Sequence, residues 1–286
     1  MRVANWEDYE LIDASGGEKL ERWKDIVLIR PDPQVIWNTP KENPLWKSAH
    51  ARYQRSSSGG GSWQVYRTLP PDWTICWRDL TFRVKTMGFK HTGIFPEQAV
   101  NWDYAAKKIR EAGRPVRVLN LFGYTGAATV ACLKAGASVC HVDASRGMVT
   151  WARENSIASG VAESPVRWIV DDCVKFVARE VRRGSRYDAI IMDPPSYGRG
   201  PAGEIWRLED NIFALVETCA QLLSEDAIFF MLNSYTAGLS PSVMEYILGV
   251  LLKKPFGGKI RADEIGLRAR ESGLVLPCGS TAIWEK

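Results

Sequence analysis

The chain has 286 residues, 45% hydrophobic and 24% charged, a mixture that folds as one large or two modest globular domains and excludes collagen-like, disordered and supercharged chains. A formal charge of +4 permits a nucleic-acid partner without requiring one. No apolar run approaches the roughly 20 residues needed to span a bilayer, and Met1 to Leu20 lacks the basic start and apolar centre of a signal peptide, so a cytoplasmic protein with no membrane partner is expected.

Cys76, Cys132, Cys140, Cys173, Cys219 and Cys278 are scattered, with no CxxC pair and few histidines beside them. That pattern argues against a metal site and against a disulfide framework. Many of the 12 tryptophans fall early, at Trp6, Trp23, Trp37, Trp46, Trp63, Trp73 and Trp77, and read as packing residues.

Residues 1 to about 90 read as short strands broken by turn signals. Tyr9 to Asp13 precedes Ser15-Gly16-Gly17, and Asp25 to Arg30 ends at Pro31 and Pro33. Ser56 to Ser62 is a flexible loop. Trp63 to Leu69, the turn Pro70-Pro71-Asp72, and Trp73 to Trp77 with Asp79 to Val84 resemble a hairpin. This stretch is expected to be a β-rich accessory domain, with the boundary at 90/91. His91 to Gln98 is a turn-rich link, and Ala99 to Ala112 has helical spacing.

From Pro115 strands and helices alternate. Val116–Leu121, Ser138–Val142, Val166–Val170, Tyr187–Met192, Ala227–Asn233 and a terminal Ser280–Trp284 read as strands. Between them Ala127–Lys134, Gly147–Ser159, Cys173–Arg182, Leu208–Leu223 and Ser242–Lys253 read as helices. Such alternation predicts an α/β domain over 91–286, with parallel strands joined by crossover helices in a doubly wound, Rossmann-like sheet.

Val118 to Ala137 is a strand, a glycine turn and a helix. Gly123 and Gly126 allow a sharp turn and could bring backbone N–H groups to a ligand at the helix N-terminus. A plain strand-to-helix turn would look similar, but Asp143 ends the next strand 20 residues beyond Gly123, where a carboxylate can accept ribose hydroxyls. The turn is not GxGxxG, which disfavours a dinucleotide enzyme. Asp172, after the third strand, suits either an adenine contact or a helix N-cap. The next strand delivers Asp193 at its end, followed by Pro194-Pro195-Ser196-Tyr197, a stiff turn that should present carbonyls and an aromatic ring to a cleft.

In this order the motifs resemble class I S-adenosylmethionine-dependent methyltransferases over about Val116 to Lys286. HTGIFPEQ (His91 to Gln98) is similar to the TGxFxDQR segment of the large-subunit ribosomal RNA methyltransferases, and LFGYTG (Leu121 to Gly126) to their xFxYTG turn. Here Pro96-Glu97 stands for the usual Leu-Asp, and Ala99 for Arg. The resemblance implies that Thr92, Phe95 and Gln98 help to hold S-adenosylmethionine. It places Asn120, Phe122, Gly123, Tyr124, Thr125 and Gly126 around the methionine part, Asp143 and Ala144 at the ribose, and Asp172 and Cys173 at the adenine. Asp193, Pro194 and Pro195 would border the methyl group, with Ser196 and Tyr197 facing the acceptor.

An aspartate, two prolines and an aromatic suit methyl transfer to a nitrogen of a planar ring, with a carboxylate or carbonyl taking the amino proton and Tyr197 stacking. Transfer to a pyrimidine C5 would need a cysteine, and neither Ser196 nor Phe230 to Gly238 supplies one. RNA, ribosomal RNA above all, is the expected substrate. A protein or small-molecule methyltransferase and a non-catalytic nucleoside- or RNA-binding scaffold are the alternatives. Arg199 and Arg207 suit either phosphate contact or a solvated loop. Arg261, Arg268 and Arg270, with Lys253, Lys254 and Lys259, read as ordinary surface charge or an RNA-facing strip.

Overall fold

A computed structural model describes residues 1–56, 60–199 and 205–286, apart from the side chain of Arg199. Part of the 56–62 loop thus lies outside the described residues. The chain forms two compact units. One comprises Met1–Val100 with Ile265–Cys278, and the other Asn101–Glu264 with Gly279–Lys286.

The N-terminal unit contains β1 (Arg2–Val3), β2 (Tyr9–Ser15), β3 (Glu18–Trp23), β4 (Ile26–Pro31), the short α1 (Leu45–Ser48), β5 (Ala51–Arg55), β6 (Gly61–Val65), β7 (Trp73–Trp77) and β8 (Leu80–Val84). Strands β2 to β6 make one sheet in sequence order, antiparallel except at β4–β5, and β7–β8 is a separate hairpin. Gly16 and Gly17 carry positive φ at the β2–β3 turn, the conformation that matches strand twist in a tight hairpin. The highly charged β3, EKLERW, showed no strand signal in the sequence. Hairpin pairing with Tyr9–Ser15 overrides its helix-like composition, and its charges are neutralised inside the unit.

That neutralisation centres on Glu21, which is fully buried. Arg30 Nη2 donates to Glu21 Oε1 at 2.8 Å and Arg30 Nε to Oε2, while the Tyr9 hydroxyl donates to Oε1 at 2.7 Å. Lys19 Nζ lies 3.4 Å from the same carboxylate. Burial alone would raise the Glu21 pKa, but Arg30 and Lys19, with hydrogen bonds from Arg30 and Tyr9, hold it down at about 2.

The unit extends past residue 90 to Val100 and takes in a segment from the far end of the sequence. β1 pairs in parallel with Ile265 and Gly266, the N–H groups of Arg270 and Glu271 donate to the Leu11 and Ile12 carbonyls, and Arg270 Nη1 reaches Glu10 at 2.8 Å. Composition along the chain carries no sign of a strand that returns across some 250 residues. Several of the C-terminal cations have partners inside the protein: Arg270 is paired, Arg268 donates to the Gly273 carbonyl, and the exposed Arg261 lies over the Tyr104 ring of the other unit.

The second unit runs through α2 (Ala99–Glu111, whose first two residues belong to the N-terminal unit), β9 (Arg117–Leu121), α3 (Ala127–Lys134), β10 (Ser138–Asp143), α4 (Arg146–Ala158), β11 (Val166–Val170), α5 (Cys173–Arg182) and β12 (Ala189–Met192). A hairpin of β13 (Tyr197–Arg199) and β14 (Ile205–Arg207) follows, then α6 (Leu208–Ala220), β15 (Phe229–Ser234), α7 (Pro241–Leu248), α8 (Lys254–Phe256), β16 (Lys259–Arg268) and β17 (Val275–Glu285). The sheet order β16-β17-β15-β12-β9-β10-β11 is parallel from β15 to β11, and β17 is antiparallel to β15. Chain order reverses at β9, which lies between β12 and β10. The carboxyl end of β9 is therefore the topological switch point where α/β sheets bind ligands.

Alternation decides which helices cover which face. Leu119, Leu121, Cys140, Val142, Ile190, Met192, Phe230 and Leu232 share one buried cluster with Phe176 and Val177 of α5, Ile212 and Leu215 of α6 and Met244 of α7. The intervening residues point the other way: Asn120 bonds Thr129 of α3, and Phe229 meets the Tyr104 ring of α2. The sheet is thus doubly wound, as the alternating pattern predicts. The expected helix over 242–253 is interrupted, α7 ending at Leu248 and a π turn filling Gly249–Lys253. Strand β16 escaped the sequence reading because its charged residues, KIRADEIGLR, mask the alternation. No described helix is long and apolar enough to cross a membrane.

The buried charge cluster makes a pH-dependent contribution to the N-terminal unit. Glu21 is depressed, so its stabilisation is present above its ordinary value near 4.5 and is lost as pH falls toward 2. Urea unfolding of the wild type should therefore weaken by about 3 kcal/mol across that window. Glu21→Gln should remove this pH dependence and cost about 3–5 kcal/mol at neutral pH, because Arg30 is left buried without its counter-charge.

Candidate active site

The site grows from the turn after β9. Phe122 and Tyr124 adopt positive φ, 55° and 49°, and Gly126 follows at 82°. Three left-handed residues in five reverse the chain within one short turn and lead it directly into α3. The glycines answer packing demands on both sides. A Cβ on Gly123 would lie 2.5 Å from Nδ1 of the buried His141, and one on Gly126 would lie 2.6 Å from Cβ of Ala152 in α4.

The N–H groups of Phe122, Gly123, Tyr124 and Gly126 are bonded inside the protein, so the two glycines shape the turn without offering their own N–H groups to a ligand. Gly123 N donates to the Val142 carbonyl at 3.0 Å and Gly126 N to the Gly123 carbonyl at 2.9 Å. Phe122 N donates to Cys173 Sγ at 3.3 Å, and Tyr124 N to Asp143 Oδ2 at 2.9 Å. Thr125 is buried, and its carbonyl accepts from Asn155 Nδ2 at 2.8 Å.

Asp143 ends β10 beside this turn. Its second oxygen, Oδ1, accepts from Ser145 N at 2.8 Å. Burial raises the Asp143 pKa, and the N–H groups of Ser145 and Tyr124 offset part of that rise. Each carboxylate oxygen thus holds one backbone donor and keeps a second lone pair, the arrangement needed to accept two ribose hydroxyls. Ala144 beside it is exposed. After β11, Asp171 N donates to the Asp143 carbonyl at 3.0 Å, and the exposed Asp172 accepts from Lys175 N at 2.8 Å as the N-cap of α5. The cap reading of Asp172 holds, and its second oxygen remains for a ligand. Cys173 is buried, its thiol pushed far up by burial, and it serves as an acceptor for the glycine turn.

Beneath the turn lies a buried polar chain that ties Asn120 to Thr129 and His141, two residues without a signal in the sequence. Asn120 Nδ2 donates to Thr129 Oγ1 at 2.8 Å, and Thr129 Oγ1 lies 2.9 Å from His141 Nδ1. Burial pushes the His141 pKa down to about 3, so the ring under Gly123 is neutral. Asn120 therefore supports the turn from below. His141 sits mid-strand in an apolar run, with no neighbouring motif to mark it.

At the end of β12, Pro194 is buried, Asp193 half-buried, and Pro195, Ser196 and Tyr197 exposed, Tyr197 by 50%. The expectation that carbonyls of this turn face a cleft needs one correction. Trp206 Nε1, from β14, donates to the Pro195 carbonyl at 2.7 Å, while the Trp206 ring lies 6.2 Å from Phe122 of the glycine turn. One aromatic thus links the two motifs. From the loop after β15, Thr236 Oγ1 donates to Ser196 Oγ at 2.6 Å and Thr236 N to Ser234 Oγ at 3.1 Å. Neither Trp206 nor Thr236 carried a spacing signal, since pairing across β13–β14 and adjacency of β15 to β12 bring them in. The Arg199 side chain lies outside the described residues, and Arg207 is exposed at the start of α6.

Phe122–Gly126, Asp143, Asp172–Cys173 and Asp193–Tyr197 are therefore gathered at one edge of one sheet. Thr92, Phe95 and Gln98 belong to the N-terminal unit, where Thr92 and Gln98 are buried and Phe95 packs on His91 at 5.1 Å. Among the described residues no group of three His, Cys, Asp or Glu side chains could hold a metal ion.

These features define a class: the chain belongs to the S-adenosylmethionine-dependent methyltransferases, whose family model matches residues 44–218. A structure of an S-adenosylmethionine-dependent methyltransferase from Agrobacterium tumefaciens superposes with a TM-score of 0.93 at 35% identity, covering 99% of this chain and 92% of that one. A structure from Streptococcus mutans, at 17% identity and a TM-score of 0.74, covers 97% of this chain and 75% of that one and shares the fold. In sequence, a ribosomal RNA large subunit methyltransferase K of Neisseria meningitidis serogroup B is 28% identical over 165 residues, 57% of this chain and 46% of the relative. A methyltransferase K/L of Shewanella baltica is 32% identical over 131 residues, 46% of this chain and 17% of the relative. The chain thus spans less than half the length of these curated relatives. Its cofactor is S-adenosylmethionine, and the paired lone pairs of Asp143 beside a left-handed turn fit a nucleoside with a short charged tail.

Two substitutions test this construction. Gly126→Ala forces a Cβ against Ala152 at a left-handed φ and should cost about 2 kcal/mol, read from the urea midpoint. Trp206→Phe keeps a ring near Phe122 and removes the N–H to Pro195; we expect about 1 kcal/mol of lost alignment, a roughly five-fold fall in kcat with an unchanged dissociation constant for S-adenosylmethionine.

Proposed function

We propose that this protein methylates RNA, ribosomal RNA in particular, on a base nitrogen, and does so in the cytoplasm. The observation that carries this reading is the Asp193-Pro194-Pro195-Ser196-Tyr197 turn: a half-exposed tyrosine beside a carboxylate, at the same sheet edge as Asp143. The names of the sequence relatives support RNA as the substrate.

When bound, S-adenosylmethionine supplies a methyl group already activated on a sulfonium, so the protein's task is alignment. Asp143 would accept the ribose hydroxyls, and Asp172 and Cys173 would border the adenine. Phe122 to Gly126 would wall the methionine part. Tyr197 stacks on the planar acceptor. Asp193 would accept an amino N–H of the acceptor and take up its proton as the nitrogen lone pair forms the new N–C bond and the methyl–sulfur bond breaks, its electron pair returning to sulfur. The Trp206 hydrogen bond occupies one side of the Pro195 carbonyl. C5 chemistry is disfavoured because Phe230 to Gly238 holds Ser234, Tyr235 and Thr236 but no cysteine to add to the ring.

The test incubates purified protein and methyl-labelled S-adenosylmethionine with a cell lysate, then treats portions with ribonuclease or protease. Ribonuclease-sensitive label absent from Asp193→Ala is expected. Protease-sensitive label, or label confined to small molecules, would replace RNA by a protein or metabolite, and cofactor binding without any label would favour a non-catalytic scaffold. Asp143→Ala should weaken S-adenosylmethionine binding by about ten-fold, as loss of charge-assisted hydrogen bonds does, whereas Asp193→Ala and Tyr197→Ala should lower kcat and leave that affinity intact.

A further inference from the structure

The chain's basic excess is concentrated in the N-terminal unit. Residues 50–91 hold seven lysines and arginines against two aspartates, a net +5 that exceeds the +4 of the whole chain. Structure places part of this charge around exposed rings. On β5 and β6, Arg55, Trp63 and Val65 share one face, set by the pairing of Tyr53 with Trp63 and of Arg55 with Gly61. Trp63 Nε1 donates to the Met87 carbonyl at 2.8 Å, which lays the segment 87–90 against that face. Phe89 is 42% exposed and Val65 53%.

The rings form two short runs, Tyr53–Trp63 and Phe89–His91–Phe95, which meet where Trp63 Nε1 lies 3.3 Å from the Phe89 carbonyl oxygen. Tyr53 and Trp63 lie 5.5 Å apart, Phe89 and His91 5.8 Å, and His91 and Phe95 5.1 Å. Lys90 faces Asp32 as well as Arg55, and neither Arg55 nor Arg67, which follows β6, has a carboxylate partner among the described residues. Folding gains nothing from leaving Phe89 and Val65 in water beside uncompensated cations. Exposed π faces flanked by cations are what an unpaired nucleotide chain binds, through stacking and phosphate contacts.

We propose that this face of β5–β6, with Phe89, Trp63, Val65, Arg55, Arg67 and Lys90, is a binding surface for a single-stranded segment of the RNA substrate. The proposal rests on the RNA reading above and adds the surface to it. Bases stack on Phe89 and the Trp63 edge, while Arg55, Arg67 and Lys90 meet phosphates. A regular duplex keeps its bases stacked inside and fits the face poorly.

The test titrates the full chain into a fluorescein-labelled single-stranded RNA of mixed sequence and, separately, into a blunt RNA duplex of equal length. Wild type should prefer the single strand. Phe89→Ala should weaken that binding about ten-fold, and Phe89→Trp should retain it, because stacking of one base is removed in the first and kept in the second. Arg55→Ala and Arg67→Ala should each lower the slope of log K against log salt by about 0.7. All four variants should keep the wild-type dissociation constant for S-adenosylmethionine. Wild-type affinity and salt slope in Phe89→Ala, Arg55→Ala and Arg67→Ala would overturn the surface while leaving the RNA reading intact. Failure of the wild type itself to bind either RNA, together with protease-sensitive label in the lysate experiment, would overturn the RNA reading and with it the partner assigned here.

Discussion

Everything at the carboxyl edge of the large sheet is organised by the reversal of the chain after β9. In five residues the backbone must leave a central strand, turn, and start α3, and it does so with Phe122, Tyr124 and Gly126 left-handed. Left-handed conformations at Phe122 and Tyr124 each cost of the order of 1–2 kcal/mol, so the turn persists only because its surroundings hold it. Asp143 takes the Tyr124 N–H, Cys173 the Phe122 N–H and the Val142 carbonyl that of Gly123. The same bonds that retain the turn also position the carboxylate and the start of α5 around it. Support of the backbone and placement of the Asp143 carboxylate are one set of contacts.

A neutral histidine completes this arrangement. His141 fills the space beneath Gly123 and is tied through Thr129 to Asn120, so the floor of the turn is polar yet uncharged. A charged ring buried there would be costly to desolvate. Above the floor, Trp206 spans from Phe122 to the Pro195 carbonyl, and Thr236 holds Ser196. The turn from Asp193 to Tyr197 is therefore anchored by neighbours on β14 and after β15, while the Tyr197 side chain is exposed.

The N-terminal unit solves a different problem. Its sheet buries Glu21, Arg30, Lys19 and Tyr9 as one paired cluster, which is tolerable because each charge has a partner and several hydrogen bonds. Arg22, Lys41, Arg52 and Arg83 pair with Glu10, Glu18 and Asp72, whereas Arg55 and Arg67 have no carboxylate partner among the described residues. The unit thus separates charge used for its own cohesion from charge displayed around Phe89 and Trp63.

Much of the large unit was legible in the sequence because its signals are local. A buried parallel strand reads as an apolar run, a crossover helix as a periodic one, and a glycine turn, Asp143 and the Asp193-Pro194-Pro195 turn each fall where a strand ends. Their convergence follows once the strands are parallel, since every carboxyl end then faces the same edge. What the sequence could not disclose is which distant residues fill the spaces between these motifs. The strand Ile265–Arg268 pairs with residues near position 2, Trp206 reaches Pro195 through a hairpin, and the glycines' N–H groups turn inward. Each outcome is decided by long-range packing and by the requirement that buried backbone groups find partners. Residue types announce the chemistry available, and the tertiary fold decides which groups are spent on holding the site and which remain to act.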